Sequence, residues 1–176
     1  MDYFLEEVVT KKNRALSSVL LVLATILMVF SGIMGLMTVS VIMTEFSVQG
    51  LIEAVVMVGI AVLLYLKRDT LKTEYEYTFT NGDLDFAQVY NNKKRKSLGT
   101  MRVKNVEAFG AVDSNAFNKF INMPGMKRRN WFLNRGANLY YFYYQKNSEK
   151  HMIIFEPSEQ MVDYIKKYLP RGVYQE

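Results

Sequence analysis

The sequence contains no cysteine and one histidine, His151. Without cysteine the chain can form no disulfide, no thiol nucleophile and no cysteine-ligated metal site, and a single histidine excludes a histidine-rich metal site. The sequence also lacks a glycine-rich phosphate loop and a nucleophile elbow. We therefore expect no catalytic residues, no bound metal and no cofactor, and we interpret the protein as a non-enzyme.

Charged residues are nearly absent from one long segment. Between Leu16 and Leu66 the only charged side chains are Glu45 and Glu53. A single helix of that length would span about 76 Å, whereas the apolar core of a bilayer is about 30 Å thick. The run must therefore fold back once, at the polar segment 44–50. The sequence predicts two transmembrane helices, at about 16–43 and 48–66, and a separate domain at 73–176.

Basic residues lie at both outer ends of this hairpin and are missing from its loop. They are Lys11, Lys12 and Arg14 before the first helix, and Lys67, Arg68 and Lys72 after the second. The positive-inside rule then places both termini in the cytoplasm of a plasma membrane that the chain crosses twice. A cleaved signal peptide is the alternative, but its apolar core is typically about 7–15 residues, far shorter than this run.

The net charge of +5 belongs entirely to the second part of the chain. Residues 1–72 carry six basic and six acidic side chains, and residues 73–176 carry sixteen basic and eleven acidic ones. A basic cytoplasmic domain tethered to a membrane has anionic lipid as its nearest polyanion. We therefore expect lipid headgroups or an acidic protein as partner, and no nucleic acid.

Two features of the hairpin leave alternatives open. Ser31 and Gly35 form a pair of small residues that permits close helix contact, either within the hairpin or in a homo-oligomer. Glu53 is an acid inside an apolar block, which is a functional hypothesis by default. It lies near the outer interface and the helix N-terminus, where a carboxylate is favoured. A structural role is therefore expected, and oligomeric transport or ion handling through Glu53 is the alternative.

Residues 1–9 combine apolar side chains at positions 1, 4, 5 and 8 with acids at 2, 6 and 7. This spacing predicts a short amphipathic helix at the membrane interface, or else a mobile tail. We accordingly assign residues 1–72 to a membrane anchor.

From residue 73 onward, apolar and polar residues alternate, which is typical of half-buried strands. Asn81-Gly82 is a strong hairpin signal. The pattern predicts strands at 73–80, 83–90 (with a bulge near 87–88), 97–103, 106–112, 139–145 and 151–155. Turns are expected at 91–96 and 147–148, a short helix at 113–120 and a loop at 123–129. A C-terminal helix is expected at 158–169, with Ser158 as its N-cap.

This order of elements, a strand meander followed by one amphipathic helix, resembles the pleckstrin-homology (PH) architecture. The whole chain resembles a family of small two-span bacterial membrane proteins from Gram-positive anaerobes, on the segments 75–85, 93–96 and 153–158. The resemblance implies an α+β fold, in which a transmembrane hairpin precedes a small PH-like β-barrel plugged by the C-terminal helix. It implies a plasma-membrane location and no activity.

Two basic clusters are the candidate lipid-binding or partner-binding residues. They are Lys93, Lys94, Arg95 and Lys96 in the predicted turn, and Lys127, Arg128 and Arg129 after the Pro-Gly loop. We interpret Asp83, Asp85 and His151 as ordinary surface or structural residues. The tyrosines at 140, 141, 143 and 144 are expected to form core and a wet edge, or else a stacking surface. The sequence thus favours a non-enzymatic scaffold or binding module over an enzyme acting on lipid or peptidoglycan precursors.

Overall fold

The computed structural model describes residues 2–175, and these form two compact units. One unit contains the residues up to Lys12, residues 74–89 and the chain from Lys94 onward. The other contains residues 13–73 and the short segment 90–93.

The second unit contains the two predicted helices, α1 (Arg14–Thr44) and α2 (Val48–Lys67). Each begins at a side-chain cap: Asn13 Oδ1 accepts a hydrogen bond from the Leu16 N–H, and Ser47 Oγ accepts one from the Gly50 N–H. A 3₁₀ turn (Arg68–Leu71) extends α2. With mean hydropathies of 2.6 and 2.1, both helices are long and apolar enough to span a membrane.

Small residues form the contact between these helices. Ser31 and Gly35 of α1 and Ala54 of α2 are buried, whereas the large apolar side chains point outward. A Cβ atom added at Gly35 would lie 3.0 Å from Cγ2 of Val58. Without a side chain at Gly35 the backbones approach closely, as in membrane helix pairs. The expected packing within the hairpin is confirmed.

The helix or tail predicted at the N-terminus is wrong. Residues 4–9 form strand β1 (Phe4–Val9), antiparallel to β2 (Thr73–Thr80), with Leu5 opposite Phe79. An isolated helix of this length is unstable in water, whereas the edge of β2 supplies backbone partners and half-buries every second side chain of β1. Residues 4–9 therefore belong to the β-rich unit, although the sequence assigned them to the membrane anchor.

The first sheet has the strand order β1-β2-β3-β4, with β3 (Asp83–Tyr90) and β4 (Lys94–Arg102). The predicted turn after β2 is confirmed, since Asn81 and Gly82 have φ angles of 49° and 93°. A Cβ atom at Gly82 would lie 2.7 Å from Cδ1 of Tyr168, so this turn tolerates only glycine. Phe86 and its neighbour Ala87 are both buried, in agreement with the predicted change of inward parity.

The second sheet has the order β6-β8-β7-β5-β9. Its strands are β5 (Ala108–Ala111), β6 (Lys127–Trp131), β7 (Tyr140–Lys146), β8 (Glu149–Phe155) and β9 (Tyr174–Gln175). Strands β6 and β8 are parallel, as are β5 and β9, so the predicted simple meander is wrong here. The loop predicted at 123–129 is wrong in its last three residues, which begin β6.

The predicted closed barrel is not observed, because the strands of residues 2–175 form two separate hydrogen-bonded sheets. Side chains of β2 link them: the Tyr77 hydroxyl donates to the Trp131 carbonyl on β6, and the Tyr75 hydroxyl lies 3.5 Å from the Asn130 carbonyl oxygen. Burial raises the pKa of Tyr77, which keeps this hydroxyl protonated as a donor. The unit is therefore an α+β sandwich of two sheets.

Two helices complete this unit, α3 (Asn115–Ile121) and α4 (Glu159–Tyr168). Ser158 caps α4 as predicted, because its Oγ accepts a hydrogen bond from the Met161 N–H. The main core lies between the sheets and α4, and includes Phe79, Phe86, Phe109, Phe142, Phe155 and Ile165. A smaller core lies between the second sheet and α3 and includes Phe117, Tyr141, Tyr143 and Ile154. The four tyrosines of β7 thus divide between the two cores, as the first interpretation expected.

Candidate anion-binding surfaces

The turn between β3 and β4 is held against the end of α2. The Asn91 backbone N–H donates to the Lys72 carbonyl (2.7 Å), and the Asn91 side-chain amide donates to Asp69 (2.8 Å). Lys93 Nζ lies 4.0 Å from the same Asp69 carboxylate. Lys93 is therefore fixed at the end of an apolar helix that is long enough to span a membrane.

The rest of the first cluster lies on a strand and not in the predicted turn. Residues 91 and 92 take positive φ angles and close the turn early, so β4 begins at Lys94. Arg95 forms an ion pair with Glu76 at 2.6 Å. Lys94 and Lys96 are exposed and have no ion-pair partner within the described chain. These two lysines remain available to an external anion.

The second cluster lies on β6, the edge strand of the other sheet. Lys127 pairs with Glu149 at 2.6 Å, and this contact lowers the pKa of the Glu149 carboxyl. The Arg129 guanidinium lies 5.8 Å from the centre of the Trp131 ring. Arg128 alternates to the opposite face of the strand. Apart from Lys93, the two clusters therefore occupy edge strands of different sheets, and alternation divides the second cluster between two faces.

A groove lies between β4 and the β6–β8–β7 edge of the second sheet, with a volume of about 700 Å³. We call it the β4–β6 groove; its charged and aromatic lining residues are Asp83, Arg102, Arg129, Trp131, Tyr144, Lys146 and His151. Sequence reasoning missed Arg102 and Lys146 as site residues. Lys146 comes near Arg129 because β6 pairs with β8, and Arg102 faces them from β4 of the other sheet. The sequence carries no local signal for either arrangement.

His151 is buried in the wall of this groove, with 9% of its side chain exposed. Its ring stacks on Tyr144 at 5.2 Å, and Nε2 lies 3.6 Å from the Glu149 carboxylate. Nδ1 has no hydrogen-bond partner among the residues that the structure describes. Burial lowers the pKa of His151, and Arg129, Lys127 and Lys146 lower it further, while Glu149 opposes them. The imidazole is therefore neutral at pH 7.

The sequence matches the family described as bacterial PH-like domain (DUF6106), and the match covers residues 1–175. The chain belongs to this family. The membership confirms the expected resemblance to a bacterial family with a PH-like domain. Neither the comparison with curated proteins nor that with solved structures found a match. The family description specifies a domain and no ligand.

The paired aspartates of the PH-like domain have separate partners. Asp83 lies 3.8 Å from Arg102, and Asp85 accepts a hydrogen bond from the Thr100 hydroxyl. Both carboxylates are exposed, as expected for solvated residues beside a turn.

Glu53 lies outside the PH-like domain, in the second turn of α2. It accepts a hydrogen bond of 3.4 Å from the Gln49 side-chain amide. A carboxylate near a helix N-terminus with an amide partner agrees with a structural role at the interface. Transport through Glu53 stays a prediction.

Proposed function

We propose that the protein is a non-enzymatic, membrane-anchored binding module of the bacterial plasma membrane. Helices α1 and α2 anchor it with both termini in the cytoplasm, and the PH-like domain binds anionic lipid through Lys93, Lys94 and Lys96. PH-like domains are generally non-catalytic binding modules, which supports this assignment.

One observation carries the proposal: the turn before β4 is hydrogen-bonded to the segment that follows α2. Headgroups begin at the depth where a spanning helix ends, and Lys93 lies at that end. Lys94 and Lys96 follow directly, exposed and without an ion pair in the described chain. Each lysine close to an anionic leaflet contributes about 1 kcal/mol of attraction. Lys94 and Lys96 therefore give a salt-sensitive contact, and Lys93, which lies 4.0 Å from Asp69, adds less to it.

The basic cluster on β6 favours an acidic protein as partner. Arg128 and Lys127 are exposed on an edge strand, beside Glu149. An acidic protein segment bound there would make the domain a scaffold. Lipid is the better-supported ligand, because Lys93 contacts Asp69 in the segment that follows α2.

The lipid proposal is tested with the full chain in nanodiscs. Because the chain lacks cysteine, Ser97→Cys, next to the lysines on β4, carries a single environment-sensitive fluorophore. We expect a blue-shifted emission in discs that contain phosphatidylglycerol, compared with purely zwitterionic discs, and loss of that shift at high salt. Reversing the charge with Lys94→Glu and Lys96→Glu should abolish the shift.

A matched control reverses two exposed lysines elsewhere in the domain, Lys104→Glu and Lys119→Glu. It changes the net charge equally and should retain the shift. Equal emission in both kinds of disc, or equal loss in both double variants, would contradict specific lipid contact. Crosslinking to an acidic protein partner in membranes would then be the next experiment.

A further inference from the structure

One face of the second sheet is apolar at one end and becomes polar and basic at the other. Cross-strand register places Trp131 opposite Phe155, Arg129 opposite Ile153 and Lys127 opposite His151. Since side chains two apart share a face, these six project to the same side, which near Trp131 is the buried core. The same face continues past Ile153 as polar and basic side chains that line the β4–β6 groove.

The charge of this groove is predominantly positive. Arg102, Arg129 and Lys146 line it, against the single carboxylate of Asp83. Asp83 and Arg102 are both more than half exposed and lie 3.8 Å apart. An exposed pair at that separation stabilises little, so Arg102 keeps most of its capacity to bind another anion. Arg129 and Lys146 have no carboxylate partner in the lining of the groove.

The shape and chemistry of the groove suit a small ligand. Its volume of about 700 Å³ falls within the range of small-molecule sites. Arginine presents a planar fork that matches phosphate oxygens with two parallel hydrogen bonds, and lysine adds a point charge. Trp131 and Tyr144 supply apolar walls. We propose that the β4–β6 groove binds a small phosphorylated molecule, with its phosphate held by Arg102, Arg129 and Lys146.

This site is distinct from the lipid-binding lysines proposed above, since none of residues 93–96 lines the groove. A structural explanation competes with it: inward-pointing charges on edge strands protect a sheet against pairing with another chain. That explanation predicts aggregation when Arg129 is neutralised and no selective effect on phosphate binding. The two explanations therefore predict different results for a titration with a phosphorylated ligand.

His151 is a reporter in the wall of the groove, because it is the chain's single histidine. The full chain in zwitterionic nanodiscs is titrated with glycerol 3-phosphate, and with sodium chloride at equal ionic strength, while the imidazole resonances are followed by NMR. We expect a saturable shift with glycerol 3-phosphate only. The pKa of His151 should rise when the site is filled, because a nearby anion favours the imidazolium form.

Arg129→Gln should weaken glycerol 3-phosphate binding by on the order of tenfold, as expected for the loss of a charged hydrogen bond. Arg171→Gln removes the same charge from an exposed arginine that does not line the groove, and should leave the affinity unchanged. Arg102→Gln, on the other sheet, should also weaken binding and serves as the second variant if Arg129→Gln disturbs the fold. Backbone amide spectra establish whether each variant keeps the native fold.

The phosphate can belong to a soluble metabolite or to a lipid headgroup, and a second arm separates these sources. Nanodiscs containing phosphatidic acid present the same phosphate monoester on a lipid, without soluble ligand. A shift of His151 in these discs assigns the site to a headgroup, and a shift with glycerol 3-phosphate alone assigns it to a soluble ligand. No saturable shift in either arm, an equal shift with chloride, or undiminished affinity in both arginine variants would overturn the proposal.

Discussion

His151 is the chain's single histidine, and the charge of its imidazole changes near neutral pH. It is buried against Tyr144, with Arg129, Lys127 and Lys146 nearby and one carboxylate, Glu149, facing it. Burial and the three cations lower the pKa of the folded state below the ordinary value of 6.5. Between these two pKa values the unfolded chain binds more protons than the folded one. The free energy of unfolding must therefore fall as pH drops through this window.

This linkage is measurable through the chain's single tryptophan, Trp131, which is buried in the same unit. We expect the thermal midpoint of the full chain in detergent to decrease as the pH falls below 6.5. His151→Gln should flatten that dependence, and the exposed control Lys104→Gln should keep it. Identical slopes for the wild type and His151→Gln would show that another group controls the pH response.

At the scale of elements, β1 extends the first sheet and also contacts the start of α4. Glu7 projects from β1 to the start of α4, where its carboxylate accepts hydrogen bonds from the Ser158 N–H (3.0 Å) and from the Ser158 hydroxyl. The Glu7 carboxylate gives the Ser158 backbone N–H an acceptor, and its negative charge complements the positive end of the helix dipole. The contact joins an N-terminal strand to a C-terminal helix across nearly the whole sequence.

Glu7→Ala should therefore reduce the free energy of unfolding by about 1–2 kcal/mol, the usual cost of losing a helix cap. Its neighbour Glu6 is exposed on the other face of β1, and Glu6→Ala should change stability by less than about 0.5 kcal/mol. Urea unfolding followed by Trp131 fluorescence measures both. Equal stability of the two variants would mean that Glu7 is not part of the cap.

Most of the strands that the sequence predicted correctly have local partners; β5, expected at 106–112, is an exception, because it pairs with the distant strands β7 and β9. Strands β2 and β3 are joined by Asn81-Gly82, and β7 and β8 by Asn147-Ser148, so turn chemistry and alternation were both visible. Strands β1, β6 and β9 pair with distant segments, two of them in parallel, and no turn signal marks such pairs. The basic residues 93–96 are consecutive in the chain, so composition alone identified them. The β4–β6 groove could not be predicted, because its lining comes from strands that are distant in the sequence.

At the scale of the whole molecule, charge is divided between the parts of the chain. The helical hairpin has no Lys or Arg in its connection, and basic residues stand at its two outer ends. Helices α1 and α2 expose nearly all of their large apolar side chains. That surface would be costly in water and is favourable in lipid. From the positive-inside rule we expect the PH-like domain on the cytoplasmic side.

This topology predicts a specific labelling pattern, and the lack of native cysteine allows one label per variant. Phe46→Cys, in the exposed connection between α1 and α2, should react with a membrane-impermeant maleimide in intact spheroplasts. Ser97→Cys on β4 should react only after permeabilisation, because the domain is expected in the cytoplasm. The reverse pattern would contradict the orientation and with it access of Lys93–Lys96 to the anionic inner leaflet. A labelled product that lacks the N-terminal segment through α1 would instead support cleavage of the first helix as part of a signal peptide, since the two-span anchor requires that helix to remain.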